Sequence, residues 1–362
     1  MSSPAMVVKD RMDLRELGSL FMVGFHGQEF SPELRDLLDD LSPCGVILFS
    51  RNIHEPDQVA RLTHDLQSHA QKQLSHGLLI GVDQESGRVR RLLEPFSRFP
   101  PALHMARSAD PEAAVREFAE VTGRELRLVG FNVNFVPVLD VLATPDTPEV
   151  SVIGDRSFGP EPQTVARLGA TVIEAMRAAG VISCSKHFPG HGGTTVDSHV
   201  DLPVDARPRD IISARDLVPF ETAMGLNVEM VMTAHVLYRA LDPIFPATLS
   251  ERVIGKLLRD EMGYRGVVIT DDLDMGAVAA SYPLDELAVS SLRAGVDVLM
   301  ICHSVDKAIS ARTAIHDALM QGNIPTERIE EALGRIRRLK LLYHDSLQPC
   351  DEAQVNRYFP AR

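Results

Sequence analysis

Eight short runs rich in β-branched and other apolar residues recur along the chain, separated by longer segments with helical spacing. Several of the runs are nearly continuous in apolar residues, which is typical of strands covered on both faces. Strands that alternate with helices form a parallel sheet, and eight such units predict an α/β fold with a closed (β/α)8 TIM-like barrel. An open doubly wound sheet is the alternative. The predicted strands are Met22–Phe25, Gly45–Phe49, Leu78–Asp83, Asn132–Asp140, Val181–His187, Met230–Val236, Gly266–Asp271 and Asp297–Cys302.

The segments between these runs frequently begin with proline or an acidic residue, as helices do. The predicted helices include Pro56–His69, Pro111–Leu128, Pro162–Ala179, Ala214–Met224 and Pro283–Ala294. No low-complexity linker divides the chain. We therefore predict one barrel domain over residues 1–345, followed by a C-terminal tail over residues 346–362.

Charge and cysteine usage exclude several classes of protein. The chain has 37 basic and 50 acidic residues, a formal net charge of −13, so a basic nucleic-acid-binding surface is not expected, and an anionic membrane would repel the chain. The N-terminus lacks the pattern of a secretory signal, and no apolar run approaches the roughly 18 residues of a membrane span. The spacing of the four cysteines matches no zinc motif. The sequence predicts a cytoplasmic protein with reduced thiols and no nucleic-acid or membrane partner. It does not set the oligomeric state, for which a monomer is favoured.

Unusual polar runs follow three of the predicted strands. They are Gly81–Arg91, Lys186–His199 and Thr270–Met275. In a (β/α)8 barrel the active site lies at the C-terminal ends of the strands and in the loops that follow them. These runs are therefore the candidate active site.

The run Lys186–His199 is the most informative of the three. Asp197 and His199 are two residues apart, so the carboxylate can hold one ring nitrogen and raise the basicity of the imidazole. A loop that an Asp–His hydrogen bond merely stabilises is the structural alternative. Three glycines precede the pair and suggest a loop that moves or that approaches a ligand closely: Gly190, Gly192 and Gly193.

Acidic and basic side chains stand at the other strand ends. Successive strand residues point to opposite faces, so Asp271 and Asp272 cannot both enter the barrel mouth if the strand persists through them. One can be a nucleophile or general base, while the other caps the following turn. Asp83 could accept hydrogen bonds from sugar hydroxyls, and Arg91 and Arg156 could donate to a polar or anionic substrate. For each arginine alone, a structural ion pair is the alternative.

Together these runs resemble glycoside hydrolase family 3, and more closely the bacterial single-domain β-N-acetylhexosaminidases of the NagZ type. The resemblance extends from about Leu17 to about Leu342. Ser86 departs from the pattern, because the family usually has glycine there, and only a slight local change is expected. The matching motifs are Gly45–Phe49, Gly81–Glu85, Phe135–Asp140, Arg156–Gly159, Lys186–Gly192, Asp197–His199 and Ile269–Leu273.

The resemblance implies a mechanism and a substrate. Asp271 is the implied nucleophile of a retaining reaction through a covalent glycosyl-enzyme, and His199 is the implied general acid/base, assisted by Asp197. The substrate is a terminal β-linked N-acetylglucosamine, implied to come from muropeptides of cell-wall recycling (GlcNAc-1,6-anhydro-MurNAc). No metal or organic cofactor is implied. The residues implied to bind the sugar are Asp83, Arg91, Arg156, Lys186 and His187.

The sequence also allows other functions. A metal-dependent barrel hydrolase could use His187, His191, Asp197 and His199 as ligands. A non-catalytic sugar-binding barrel is a second alternative. Within the family, a phosphorylase or a β-glucosidase is possible, although the latter usually has a second domain. The sequence leaves the aglycone and the choice between water and phosphate as acceptor undecided.

Overall fold

The structure is a computed structural model that describes residues 13–74, 76–143, 152–194 and 201–359. Eight parallel strands form its centre, and each of the eight predicted runs overlaps one of them. Every residue in these strands is buried, which explains why most of them are apolar, although β5 carries Lys186 and His187 near its end. The strands are β1 Phe21–Gly24, β2 Gly45–Ile47, β3 Leu79–Val82, β4 Val133–Asn134, β5 Ile182–Phe188, β6 Met230–Thr233, β7 Val267–Thr270 and β8 Leu299–Ile301.

The strands close into a barrel in sequence order. Strand β8 pairs with β1, and each strand from β1 to β6 pairs with the next one, so that the eight strands form one continuous parallel sheet. The last junction closes through a parallel bridge between Ile269 and Val298, where the Thr270 amide donates to the Val298 carbonyl at 3.0 Å. The prediction of a (β/α)8 barrel is therefore confirmed. A two-residue ribbon, Val204–Asp205 with Leu237–Tyr238, lies outside this sheet.

Helices cover the outside of the barrel. Several helices begin with a proline in the first turn or with a side chain that caps the first turn. For example, Asp110 precedes the helix Pro111–Leu128 and accepts from the Ala113 amide at 3.1 Å. The helices are Leu14–Gly18, Pro32–Leu41, Pro56–His69 with its continuation Ala70–Leu74, Ala102–Ala106, Pro111–Leu128, Pro162–Ala178, Arg209–Arg215, Leu217–Gly225, Arg252–Glu261, Gly276–Ala279, Leu284–Ala294, Val305–Met320, Thr326–Leu342 and Glu352–Tyr358. No helix in these described ranges is long and apolar enough to cross a membrane.

Two segments differ from the prediction. The helix expected over Ala214–Met224 is split at Asp216, because Pro219 cannot donate a hydrogen bond to the Arg215 carbonyl. The part of the predicted tail that the structure describes, 346–359, packs onto the barrel: the Phe359 ring lies 4.7 Å from that of Phe96. These contacts join residues far apart in sequence, so local periodicity does not reveal them. The domain boundary at residue 345 stays a prediction.

The seam between β7 and β8 contains a buried carboxylate, Asp297. Its side chain accepts from the Val268 amide at 3.0 Å and from three arginines at 2.6–2.9 Å. A buried charge needs such partners to offset its desolvation. The cluster thus joins the closing strands to two outer helices through Arg259, Arg328 and Arg335.

Candidate active site

The C-terminal ends of the strands surround a cavity of about 320 Å³. Loops after β2, β3, β5, β7 and β8 line it, together with part of the 152–156 segment. Six of the eight predicted site residues line this cavity: Asp83, Arg91, Arg156, Lys186, His187 and Asp271. Asp197 and His199 lie outside the described residues.

Four charged side chains interlock on one wall of the cavity. Lys186 Nζ donates to Asp83 Oδ1 at 2.8 Å and contacts Glu85 Oε1 at 2.5 Å. Arg156 binds both oxygens of Glu85 at 2.8 Å. Burial by itself would raise the pKa of the Glu85 carboxyl, but Arg156 and Lys186 outweigh it, so that this pKa lies far below its usual range. Glu85, Arg156 and Lys186 are therefore charged at neutral pH.

This wall carries charges of both signs in equal number, and Asp272 and Asp274 add two further carboxyls to the lining of the cavity. Arg91, whose guanidinium lies 3.6 Å from Asp83, adds a third positive charge, and Asp271 adds a third negative charge. Removing one member of a buried pair of this kind costs about 3–5 kcal/mol. Fixed donors and acceptors of both charge signs suit an uncharged polyhydroxylated ligand better than an anion.

Asp271 and Asp272 both line the cavity, because the strand ends at Thr270 and its alternation does not extend to them, but their hydrogen bonds differ. Asp272 Oδ1 accepts from the amides of Asp274 at 3.0 Å and Cys302 at 3.1 Å, so this carboxylate holds the turn after β7. Asp271 Oδ1 accepts only from the amide of Asp272, at 2.9 Å, and its Oδ2 has no partner among the described residues. Asp271 is therefore the carboxylate that remains available to a ligand.

The two carboxyls also differ in their pKa values. Burial would raise the pKa of Asp271, but the side chains of His187 and His235 lower it below its usual value. Burial raises the pKa of Asp272 to about 6. At neutral pH Asp271 is ionised, as a nucleophile must be.

The glycines at the start of the loop after β5 are in close contact with the protein. Gly190 has a φ of +131°, and a Cβ there would lie 2.7 Å from Asp216. At Gly192 and Gly193 a Cβ would come within 2.1 Å of the Val141 carbonyl and 2.3 Å of the Arg207 guanidinium. Close packing against the Asp216 side chain and the Val141 backbone accounts for Gly190 and Gly192, whereas Gly193 meets only the movable end of the Arg207 side chain. The movement of the loop stays a prediction.

Arg207 and two carboxylates support this glycine segment. Arg207 binds Asp205 with Nε and NH2 at 2.6–3.1 Å and Asp216 with NH2 at 3.1 Å. Asp216 Oδ2 is buried and has no hydrogen-bond partner among the described residues. Burial raises the pKa of Asp216 to about 6, although Arg207 opposes the shift.

This buried carboxyl makes stability depend on pH. A folded-state pKa of about 6 exceeds the unfolded value, so the folded protein binds more protons and loses stability as pH rises from about 4 to 6. Asp216→Asn removes this loss and leaves Arg207 paired with Asp205. We expect the variant to gain up to about 3 kcal/mol relative to the original chain between pH 4 and pH 8. Urea unfolding of both proteins across this range measures the gain, and a difference that stays constant with pH would contradict it.

Ser86 has a φ of +90°, a backbone conformation that glycine adopts more readily. This agrees with a family pattern that usually has glycine at the position. The amide of the preceding residue, Glu85, still donates to the Val89 carbonyl at 2.9 Å. Ser86 therefore leaves the loop that carries Asp83 and Glu85 folded.

The comparisons with known proteins agree with this geometry. The family model for the glycosyl hydrolase family 3 N terminal domain matches residues 13–339. The chain belongs to glycosyl hydrolase family 3. The resemblance found in the sequence is thereby confirmed.

Relatives within family 3 are β-hexosaminidases. One from Alkalilimnicola ehrlichii is 41% identical over 292 residues, which are 79% of this chain and 81% of the relative. A solved family 3 β-N-acetylglucosaminidase from Paenibacillus sp. has a TM-score of 0.87 at 40% identity; it covers 92% of this chain, which spans only 63% of that longer protein. NagZ from Neisseria gonorrhoeae, solved in complex with N-trifluoroacetyl-D-glucosamine, has a TM-score of 0.73 at 30% identity over 89% of this chain and 98% of its own. This family 3 chain is a glycoside hydrolase of the type that these relatives represent.

Two further residues belong to the family 3 site although the sequence alone gave them no role. Glu85 orders Arg156 and Lys186, and Asp140 accepts from His187 Nδ1 at 2.7 Å. Charge balance could have indicated these two residues. Three basic residues predicted at one buried site need more than one acidic partner. The identity of that partner depends on contacts across 71 and 47 positions of sequence.

The metal-ligand alternative gains no support from the described part of the chain. His187 Nδ1 faces Asp140, and His191 Nδ1 lies 2.6 Å from Thr194 Oγ1. Within the described ranges no group of three His, Cys, Asp or Glu residues is arranged to hold a metal ion.

Proposed function

We propose that this chain is a retaining β-N-acetylhexosaminidase that hydrolyses terminal β-linked N-acetylglucosamine. The observation that carries the proposal is the ionised Asp271 carboxylate, one oxygen of which has no partner among the described residues, in a polar cavity lined by charges of both signs. Membership of family 3 and relatives named β-hexosaminidases support the choice of sugar.

The proposed reaction has two steps. Asp271 attacks the anomeric carbon and forms a glycosyl ester while His199 protonates the departing glycosidic oxygen. His199 then takes a proton from water, whose oxygen attacks the same carbon and releases Asp271. Asp197 orients and polarises His199. A histidine in this role replaces the second carboxylate of the usual retaining pair.

Sugar binding is assigned to the charged wall. Asp83 accepts from sugar hydroxyls, and Arg91, Arg156 and Lys186 donate to them. His187 completes this set. Glu85 also lines the cavity but is almost completely buried, and its role is to hold Arg156 and Lys186 in place.

The proposed substrate is a muropeptide that carries GlcNAc-1,6-anhydro-MurNAc, and the proposed role is cytoplasmic peptidoglycan recycling. The resemblance to enzymes of the NagZ type supports this choice. The four cysteines, all within the described ranges, are free thiols, as expected in a reducing compartment. No nucleic-acid or membrane partner and no cofactor is proposed, and a monomer is the proposed state.

A panel of chromogenic β-glycosides tests this proposal. We expect kcat/KM for the β-GlcNAc glycoside to exceed that for the β-glucoside by at least about 100-fold. The rate should be unchanged by phosphate and by a metal chelator. Equal rates on the two sugars would contradict the substrate assignment, faster turnover with phosphate would indicate a phosphorylase, and loss of activity with chelator would favour the metal-dependent alternative.

A further inference from the structure

Asp140 lies beside the cavity without lining it. The Leu139 amide donates to the Lys186 carbonyl at 2.7 Å, and this contact sets Asp140 next to His187. The Asp140 side chain is completely buried. Its Oδ2 lies 2.7 Å from His187 Nδ1, and its Oδ1 accepts from the amides of His187 at 3.2 Å and His191 at 2.6 Å.

The second ring nitrogen of His187, Nε2, is not engaged by Asp140. His187 lines the cavity, and its Nε2 has no hydrogen-bond partner among the described residues, although its Nδ1 is fully engaged. The adjacent Lys186 uses two of its three N–H donors on Asp83 and Glu85. A sugar hydroxyl bound here therefore meets a donor from Lys186 and the free nitrogen of His187.

We propose that Asp140 is a positioning residue that keeps the proton of His187 on Nδ1, so that Nε2 accepts a hydrogen bond from a sugar hydroxyl. A neutral imidazole has one donor and one acceptor, and the partner of one nitrogen decides the role of the other. The hydroxyl then donates to His187 and accepts from Lys186. The functional part of this inference rests on the proposed glycosidase activity.

Asp140 is suited to this task because it remains ionised. Burial would raise the pKa of its carboxyl, but the His187 imidazole and the His191 amide outweigh burial, so that the pKa lies below its usual value. An ionised carboxylate only accepts hydrogen bonds, so the nitrogen that faces it must be the donor.

Asp140→Asn is the sharpest test of the tautomer. The amide oxygen can still accept from the two backbone amides, while the NH2 group faces His187 Nδ1 and requires a lone pair there. The proton of His187 then moves to Nε2, and the acceptor in the cavity becomes a donor. We expect kcat/KM for a β-GlcNAc glycoside to fall on the order of 100-fold or more, as an incorrect tautomer costs other histidine enzymes.

Asp242→Asn provides the matched control. Asp242 is also a buried carboxylate, and it accepts from the amides of Ile244 and Phe245 and from Ser250 Oγ away from the cavity. This variant should lose stability without a loss of kcat/KM.

Nitrogen NMR of protein labelled with 15N-histidine reads the tautomer directly, and His187→Gln assigns the signal. At a pH where the His187 ring is neutral, we expect its proton on Nδ1 in the original chain and on Nε2 in Asp140→Asn. An Nε2–H ring in the original chain, or a ring that stays an imidazolium throughout the pH range of activity, would overturn the inference, even if the variant fails to fold. An unchanged tautomer in the folded variant would also overturn it. If the original chain cleaves no β-GlcNAc glycoside, the proposed function fails while the tautomer is still measured.

Discussion

Asp271→Asn is expected to lower kcat on β-GlcNAc glycosides by on the order of 10⁴-fold or more, because the amide cannot form the glycosyl ester. The fold should survive. Asp271 accepts a single hydrogen bond from described residues, from the neighbouring Asp272 amide at 2.9 Å, and an asparagine oxygen can accept it equally well. Thermal unfolding and steady-state kinetics on the same preparation measure both effects.

Asp272→Asn is the matched control for this prediction. Asp272 holds the turn after β7 through the amides of Asp274 and Cys302, so its replacement should affect stability more than chemistry. A variant at 272 that is less active than the variant at 271 would reverse the assignment of the nucleophile.

The second large effect concerns His199 and depends on the leaving group. A poor leaving group needs a proton in order to depart, whereas an activated aryl group leaves without one. His199→Ala should therefore slow glycosylation of the enzyme by alkyl or sugar β-GlcNAc glycosides about 10²–10⁴-fold. The same step with an activated aryl glycoside should be much less affected, and Asp197→Ala should show the same order of effects at smaller amplitude.

Pre-steady-state glycosylation rates plotted against leaving-group pKa measure this difference. The line for His199→Ala should be steeper than that for the original chain. Asp271→Asn, which removes the nucleophile, should be inactive with every leaving group. Parallel lines for His199→Ala and the original chain would show that His199 is not the acid.

The barrel could be predicted because buried parallel strands leave a local signal. Runs such as Val267–Thr270 are apolar up to the last residue, since both faces are covered. Strand ends then located Asp83, Lys186 and Asp271, because a barrel brings the C-terminal ends of its strands together.

Contacts between residues that are far apart in the sequence could not be predicted in this way. Glu85 and Asp140 act through partners that tertiary structure brings to them, and sequence spacing does not show which charges meet. The three glycines after β5 show a related limit. Their number suggested a moving loop or a nearby ligand, which stays a prediction, and it did not show that Gly190 and Gly192 pack closely against Asp216 and Val141.

Covalent trapping tests the central claim most directly. A mechanism-based fluorosugar of the N-acetylglucosamine series, incubated with the enzyme and followed by intact mass spectrometry, should add one glycosyl unit per chain. Peptide mapping should place this unit on Asp271. A label on Asp272, or an unlabelled enzyme that releases product with inverted anomeric configuration, would contradict the retaining mechanism through Asp271.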